Sequence, residues 1–356
     1  MGQKRALSDN HAAHFVQNCI DAGLVSGRHL SVDGAQIRAN ASVKSIEPIE
    51  PPVPLDEYLT GIGFTGDTVT TDDTSHTPSH PQDRDFHGER FTNETHRSIT
   101  DPDTRMYKKS KGKEASLSYI GNDLIDTKSR VILDTRATIA TGTAEREAAL
   151  TMVDTLKTYT LSDEPSTLAG DTGYGSGDFI ADLLDRGIVP HIPLRAGSQP
   201  EPIPTWKNKT NYAHIKAKRD KKVREAKARN FARFITATAH FKLSQTLRKR
   251  NEHIFAEAKQ YHGMGRARYR GLDPLQEQLY LTASVQNLKR LVSFLRRKKA
   301  AVQAQLHEKL VSCTLLSPVL VWVNHFTKTI TNLLHKSISN FLDKQKYFHM
   351  YCVLSS

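Results

Sequence analysis

Cysteine is scarce: Cys19, Cys313 and Cys352 are the only three in 356 residues, far apart and with no Cys-x-x-Cys pair. That excludes a disulfide framework and a cysteine zinc site, and it suits a reducing compartment. Long apolar runs are also lacking. The most apolar stretch, Leu315 to Val323, is interrupted by Pro318 and is too short to cross a bilayer. The N-terminus, MGQKRALSDNHAAHF, carries no apolar signal core, so the expectation is a soluble cytoplasmic protein with no membrane partner. Acids are in deficit as well. Lys and Arg number 50 against 38 Asp and Glu, a formal charge of +12. An excess of this sign favours a polyanionic partner, most simply nucleic acid, although a merely soluble basic protein has the same balance. The length allows one large or two moderate domains with ample core.

What is present follows an alternating order. Residues 8–25 carry Phe15, Val16, Ile20 and Leu24 at helical spacing, with Ser8 or Asp9 as a cap and Gly27 as a stop. His29 to Gly34 reads as a short strand that terminates at Asp33. From Ile46 to Thr104 the composition turns to Pro, Thr, Asp and Ser without a period, which predicts a long irregular loop. Arg105 to Lys113 is basic and glycine-bearing: a solvated turn, or a phosphate contact through Lys111 and Lys113. Ser116–Asp126 and Arg130–Ile139 predict a hairpin, and Glu145–Thr158 a helix capped by Thr143 with Glu145 and Glu147 complementing its dipole. Thr167 to Gly175 repeats the earlier arrangement, a short apolar strand ending in Asp171 and opening into glycines. An aspartate before glycine is most often a turn former. Two of them at strand ends in an alternating chain suggest acids gathered at one edge of a sheet, a setting for a metal. Lys207 to Arg229 is a basic block within a basic insertion at 200–235, either solvated surface or a phosphate-binding arm. Leu275 to Leu295 predicts a helix whose core face is Leu279, Leu281, Val285, Leu288, Leu291, Val292 and Leu295.

One further stretch, Gln245 to Tyr261, sorts its chemistry by face when wound as a single helix. With Arg248 at zero, Glu252 falls at about 40° and Lys259 at about 20°, while Gln245 sits at about 60°. Leu247, Ile254, Phe255, Ala258 and Tyr261 gather on the buried side, and Glu257 falls on the solvent side. Arg248 and Glu252 also form an ordinary i,i+4 pair, so a surface ion pair accounts for the stripe equally well.

Four stretches in order carry a resemblance: LSVDGAQIRANASVKS (30–45), DPDTRMYKKSKGKEASLSYIGNDLID (101–126), TLAGDTGYGSGDFIADLLDRGIVPHI (167–192) and RKRNEHIFAEAKQYHGMGRARYRG (248–271). Together they resemble the DDE transposases of bacterial insertion sequences, over roughly residues 5–298. The spacing Arg248-x3-Glu252-x6-Lys259 is the most specific part.

The resemblance implies an α/β, RNase H-like mixed sheet flanked by helices, with the 46–104 loop as a long irregular insertion and 299–356 as a helical C-terminal extension. It places a remnant of an N-terminal helical region at 1–28 and the catalytic domain at 29–298. It makes Asp33, Asp171 and Glu252 the catalytic acids and ligands of Mg²⁺, with Mn²⁺ as a substitute. Arg248, Lys259, Gln245, Lys111, Lys113, Arg266, Arg268 and Arg270 are then the DNA-binding candidates. The partner is double-stranded DNA, both element ends and target, held by a homo-oligomer in a bacterial cytoplasm, nucleoid-associated when bound. Two departures stand out. The family carries a tyrosine where this chain has Gln245, and related proteins have a further N-terminal segment, so a truncated or degenerate copy is expected. A DNA-binding remnant without catalysis and a repair or RNA-processing nuclease of the same fold are the competing readings.

Overall fold

The computed structural model describes residues 2–49, 92–108, 112, 114–195, 199–206, 212–314, 327–332 and 336. The chain divides into two compact units, Met1–Ser293 and Phe294–Ser356. In the second, residues 327–332 form a short helix. The rest of this description concerns the first.

Its centre is a mixed sheet built on two long strands, β1 (His29–Arg38) and β5 (Ser116–Asp126), paired antiparallel from Leu30↔Asp126 to Arg38↔Ser118. On the other side of β1 lies the parallel strand β7 (Thr167–Ala169), followed by the parallel β8 (Val189–His191). β4 (Arg105–Tyr107) and β6 (Ile132–Ile139) both pair antiparallel with β5. The predicted hairpin is therefore present, closed by Arg130 in the left-handed region at φ 63°. Asp33 is not at the end of its strand, as the short alternating run suggested. β1 continues to Arg38, and what ends near Asp33 is the pairing with β7, whose last partner is Ser31↔Ala169.

Helices cover both faces, which makes this an RNase H-like arrangement. On one face, α1 (Gly2–Asp21), α2 (Ala144–Thr155) and α3 (Gly177–Asp185) bring Val16, Cys19, Met152 and Phe179 onto Leu30, Leu124 and Leu168. α1 thus belongs to the main core. It begins well before the expected cap at Ser8 or Asp9, and it stops near the expected position, with Gly23 and Gly27 both at positive φ. Thr143 precedes α2 without making a side-chain cap bond. α4 (Ala213–Thr236) carries much of the basic block and packs Ala228 and Ala232 on Ile180 and Ala181 of α3. The expected irregular loop at 46–104 is ordered where described: β2 (Ile46–Pro48) and β3 (His96–Ser98) form an antiparallel ribbon. Most of the loop, residues 50–91, lies outside the described residues.

The other face is covered by α6 (Asn251–Tyr261) and α7 (Leu272–Thr314), through Ile254, Ala258, Leu275, Leu279 and Ala283. Two expectations are corrected here. The stretch 245–261 is not one helix. α5 (Ala239–Arg248) ends, and α6 begins, around Lys249 and Arg250, where Arg250 N–H donates to Leu247 O and Glu252 N–H to Lys249 O, tighter i→i−3 bonds that shift the phase of the wheel. Tyr261 is accordingly exposed rather than buried. Glu257, expected on the solvent side, is half-buried and accepts from Gln286 (3.1 Å), Lys289 (3.0 Å) and Arg290 (3.5 Å) of α7.

The second correction concerns α7. Of its expected core positions, Leu279 is buried and Leu291 is half-buried against the main core, but Leu281, Val285, Leu288, Val292 and Leu295 are exposed. The face turned inward is instead rich in amides. Asn287 Nδ2 donates to Ile132 O and its Oδ1 accepts from Ile132 N–H. Gln276 likewise brackets the strand at Thr135 O and Ala137 N–H. β6 is the edge of the sheet there, and its free backbone groups need partners once covered. The spacing matches: Gln276 to Asn287 rises about 16 Å along a helix, and Ile132 to Ala137 spans about 16 Å along a strand.

Candidate active site

The pairing of β1 with β7 runs at a constant offset, His29↔Thr167, Leu30↔Leu168, Ser31↔Ala169. Two residues further along each chain come Asp33 and Asp171. Asp171 leaves the strand as the cap of the short helical turn Thr172–Tyr174, its Oδ1 accepting from Gly173 N–H at 2.7 Å. Gly173 is required for that approach, because a Cβ there would stand 2.9 Å from the same oxygen. Asp33 accepts from Gly34 N–H through Oδ1 at 2.9 Å and from Arg248 Nη1 through Oδ2 at 3.2 Å. Arg248 is thus the partner of a strand acid and not of Glu252, the i,i+4 neighbour on its own stretch.

α5 and α6 are set against this edge by two buried polar contacts. Gln245 Nε2 donates to His191 O at 2.6 Å and to Gly170 O at 3.2 Å, tying the ends of β7 and β8 together, while its Oε1 accepts from Arg248 Nε. Asn251 Nδ2 donates to Ser31 Oγ at 2.8 Å, fixing the first residue of α6 two positions before Asp33. Glu252 follows directly, exposed, and near enough for its charge to act on Asp33. The carboxyl of Asp33 is pushed above the usual range, chiefly by burial. Arg248 and the Gly34 amide counter this, while Asp171 and Glu252 add to it. Glu257 is held below its usual range although burial opposes it, because Lys289 and Arg290 neutralise it. Of the two glutamates on α6, Glu257 is paired with cations of α7, and Glu252 is the one whose charge acts on Asp33.

Two further acids were hidden in the sequence. Glu145, on the first turn of α2, reads as an ordinary complement to the helix dipole. Folded, it reaches over the sheet so closely that a Cβ on Gly34 would lie 3.3 Å from its Oε1. Its carboxyl is raised by burial and then by the charges of Asp171 and Asp33. Arg146, beside it, donates to Gly173 O at 3.3 Å and so braces the turn that follows Asp171. Asp123 is the direct cross-strand partner of Asp33, buried and accepting from Thr135 Oγ1 at 2.6 Å. Burial, with Asp33 adding to it, pushes its carboxyl up to about 7. An acid mid-strand in SYIGNDLID was the available signal.

Of the remaining basic candidates, Lys259 borders one of these acids and the arginines lie beyond Arg38, the last residue of β1. Lys259 is exposed and lines a cavity of about 20 Å³ shared with Asp123. Arg266, Arg268 and Arg270 are exposed on a loop that extends β1 at its far end, where Arg38 N–H donates to Gly265 O and Ala267 N–H to Arg38 O. Arg266 and Arg270 also donate to Asn40. Lys111 and Lys113 lie outside the described residues.

The donor chemistry at the β1–β7 edge fits a hard divalent cation. The carboxylates of Asp33, Asp171, Glu145 and Glu252 lie within electrostatic reach of this edge, with Arg248 as the bonded countercharge of Asp33. Among the described residues, no three such side chains are drawn together into a metal-holding group. No described helix is long and apolar enough to cross a membrane.

Comparison with known proteins gives one match. The family described as a transposase DDE domain covers residues 84–288, more than half of the chain, including Asp171, Arg248, Glu252 and Lys259 but not Asp33. Neither the curated proteins nor the solved structures contain a match. Asp33 lies outside the matched region, two residues past its strand's last pairing with β7 and close enough to Asp171 for the two charges to interact. The chain belongs to the DDE transposase family.

Proposed function

We propose that this chain cleaves DNA at the ends of an insertion sequence and joins the freed 3′-hydroxyl to a target strand, using Asp33, Asp171 and Glu252. The observation that carries the reading is that Asp33 and Asp171 each follow by two residues the last paired positions of β1 and β7, with Arg248 bonded to Asp33 and Glu252 on the helix docked at Ser31. Both steps are in-line displacements between anions, so negative charge must be neutralised at the attacking and the leaving oxygen. Mg²⁺, or Mn²⁺ in its place, would be held by the three acids and would supply that neutralisation and an activated water. The chain's own part is positional. Asn251 and Gln245 fix the helix pair against the strand ends, Arg248 restrains one oxygen of Asp33, and Gly173 lets the backbone turn around Asp171. Glu145 stands on the opposite side of the same edge as a fourth carboxylate.

The DNA path follows the exposed positive charge. The exposed lysines of α4 and the arginines at 266, 268 and 270 offer phosphate contacts, and such contacts would make binding fall steeply with salt. A second reading, a DNA-binding protein without catalysis, draws on the separation of the acids and on the Arg248–Asp33 ion pair, which occupies a ligand oxygen. A strand-cleavage assay with Mg²⁺ or Mn²⁺ separates the two. The expected result is cleavage by the parent chain and none by Asp171→Ala or Glu252→Ala. Salt-sensitive binding with no cleavage by any of them would favour the second reading.

A further inference from the structure

The sheet is open along part of its middle strand. Odd-numbered residues of β1 turn their backbone groups to β5, as His29 O accepting from Thr127 N–H shows. Even-numbered residues turn theirs the other way, where Arg28 O accepts from Thr167 N–H and Arg38 O from Ala267 N–H. On that side β7 pairs only as far as Ser31, and the next partner is Arg266 beside Arg38. Among the described residues, no strand fills the roughly 20 Å between them. Asp33 and Gly34 stand at the start of this opening.

Side chains reach the opening from both faces of the sheet. Asp33 is on the face that carries α5, as its bond to Arg248 shows. Gly34, the next residue, is turned toward α2. A Cβ built on it would lie 3.2 Å from Asn122 Oδ1 and 3.3 Å from Glu145 Oε1. Both oxygens therefore border the space that this glycine leaves free. Asn122 is fully buried, and its Nδ2 donates to Arg136 O at 3.1 Å and to Thr138 Oγ1 at 3.0 Å. Its Oδ1 has no hydrogen-bond partner among the described residues.

The helix dipole accounts for a glutamate at the start of α2 but not for an orphaned amide oxygen beside it. A carboxylate calls for positive charge and a buried acceptor calls for a donor, and a hydrated cation supplies both. The charges of Asp171 and Asp33 already act on Glu145, so the same ion would relieve all three. We propose that Glu145 is a further ligand of the cation assigned to the β1–β7 edge, approaching from the α2 face at Gly34, and that Asn122 Oδ1 accepts from a water on that ion. This assignment rests on the cation reading of the edge and adds to it a residue outside the three acids. Mg²⁺ keeps several waters when bound, which suits an amide acting through one of them.

The test is titration of Mn²⁺ into the DNA-free full chain, with free Mn²⁺ followed by electron paramagnetic resonance. Glu145→Gln keeps the shape of the side chain and is expected to weaken binding by about 10–100-fold. Its metal-free thermal transition should match that of the parent or lie higher, which separates lost binding from lost folding. Asn122→Ala should weaken binding by a smaller factor. Glu147→Gln, exposed near the same end of the helix, is the charge control and should bind like the parent. Parent-like binding by Glu145→Gln, with loss in Asp171→Asn, would overturn this assignment and leave the cation reading standing. Equal weakening in Glu145→Gln and Glu147→Gln would overturn it as an effect of general charge. Parent-like binding by Asn122→Ala would overturn the part given to Asn122. A parent chain that binds no Mn²⁺ would overturn this assignment and the cation reading together.

Discussion

Acids sit at two places along the strand pair β1–β5, the hairpin end at Asp126 and the middle of β1 at Asp33, and they are treated in opposite ways. At the hairpin end, Asp126 is buried and surrounded by donors. Gly27 N–H reaches it at 3.1 Å, Ser129 N–H at 2.8 Å and Ser129 Oγ at 2.6 Å. It closes the hairpin and anchors the chain entering β1, and no other carboxylate competes with it in these bonds. At the β1–β7 edge the acids outnumber their donors. Asp33 has one amide and one guanidinium, Asp171 has one amide, and Asp33, Asp171, Glu145 and Glu252 are coupled through one another's charges. The first arrangement is what stability selects, since a buried charge is costly unless donors satisfy it. The second is costly in the folded protein, and a cation bound there, as proposed, would relieve that cost.

The sharpest way to break this comparison is to exchange the two roles. Asp171→Asn is expected to abolish strand cleavage while leaving thermal stability unchanged or slightly raised, because it relieves repulsion among the site acids. Asp126→Ala is expected to do the reverse, costing about 2–4 kcal/mol in denaturant unfolding from the lost charge-assisted bonds, with cleavage per folded molecule retained. If Asp171→Asn destabilised the protein as much as Asp126→Ala, the two places would not differ in kind.

A smaller effect concerns Arg248, which the sequence assigns to DNA and the structure ties to Asp33. If it orients that carboxylate, Arg248→Gln should lower the cleavage rate by about 10–100-fold, in the range of lost ligand-orienting partners, on substrates saturating enough to remove any binding defect. A change confined to DNA affinity would return Arg248 to a purely phosphate-binding role.

The smallest effect is in stability against pH. Asp123 has its folded carboxyl raised to about 7 from an ordinary 3.8, so the folded chain retains a proton that the unfolded chain gives up between those values. Its contribution is therefore fully present below about pH 4 and is lost as pH rises through about 7. Asp123→Asn cannot ionise. It should match the parent near the acid end and be more stable by roughly 1–3 kcal/mol at pH 8, an order-of-magnitude gain that chemical denaturation at the two pH values would measure. Equal stability differences at both pH values would mean that Asp123 is already ionised in the fold.

The sequence made the site more legible than the helices that serve it. Asp33 and Asp171 stood out because each follows a short apolar run and precedes a glycine or a glycine-rich turn, and both features are local. Glu252 was preferred to Glu257 by motif spacing and through a wheel that treated 245–261 as one helix, and the structure pairs Glu257 with Lys289 and Arg290 of α7. Just after the break near Lys249, Asn251 docks on Ser31, a contact between residues 220 positions apart that no local pattern encodes. α7 failed more fully as a reading. Its apolar period was real, but apolar residues face inward only when the alternative face has nothing to bind, and here Gln276 and Asn287 satisfy the open edge of β6. Glu145 was concealed by a sufficient local explanation, the helix dipole, and emerged only once Gly34 was seen to admit it to the sheet.

The central claim is that the excess of carboxylate at the β1–β7 edge is a cation site with Asp33 and Asp171 as joint ligands. Titration of Mn²⁺ into the DNA-free chain, followed by the electron paramagnetic resonance of free Mn²⁺, tests it without requiring turnover. The account predicts saturable binding by the parent chain, sharply weakened in both Asp33→Asn and Asp171→Asn and unaffected by Glu257→Gln. Binding that survives both aspartate substitutions, or that is lost with Glu257→Gln, would contradict it.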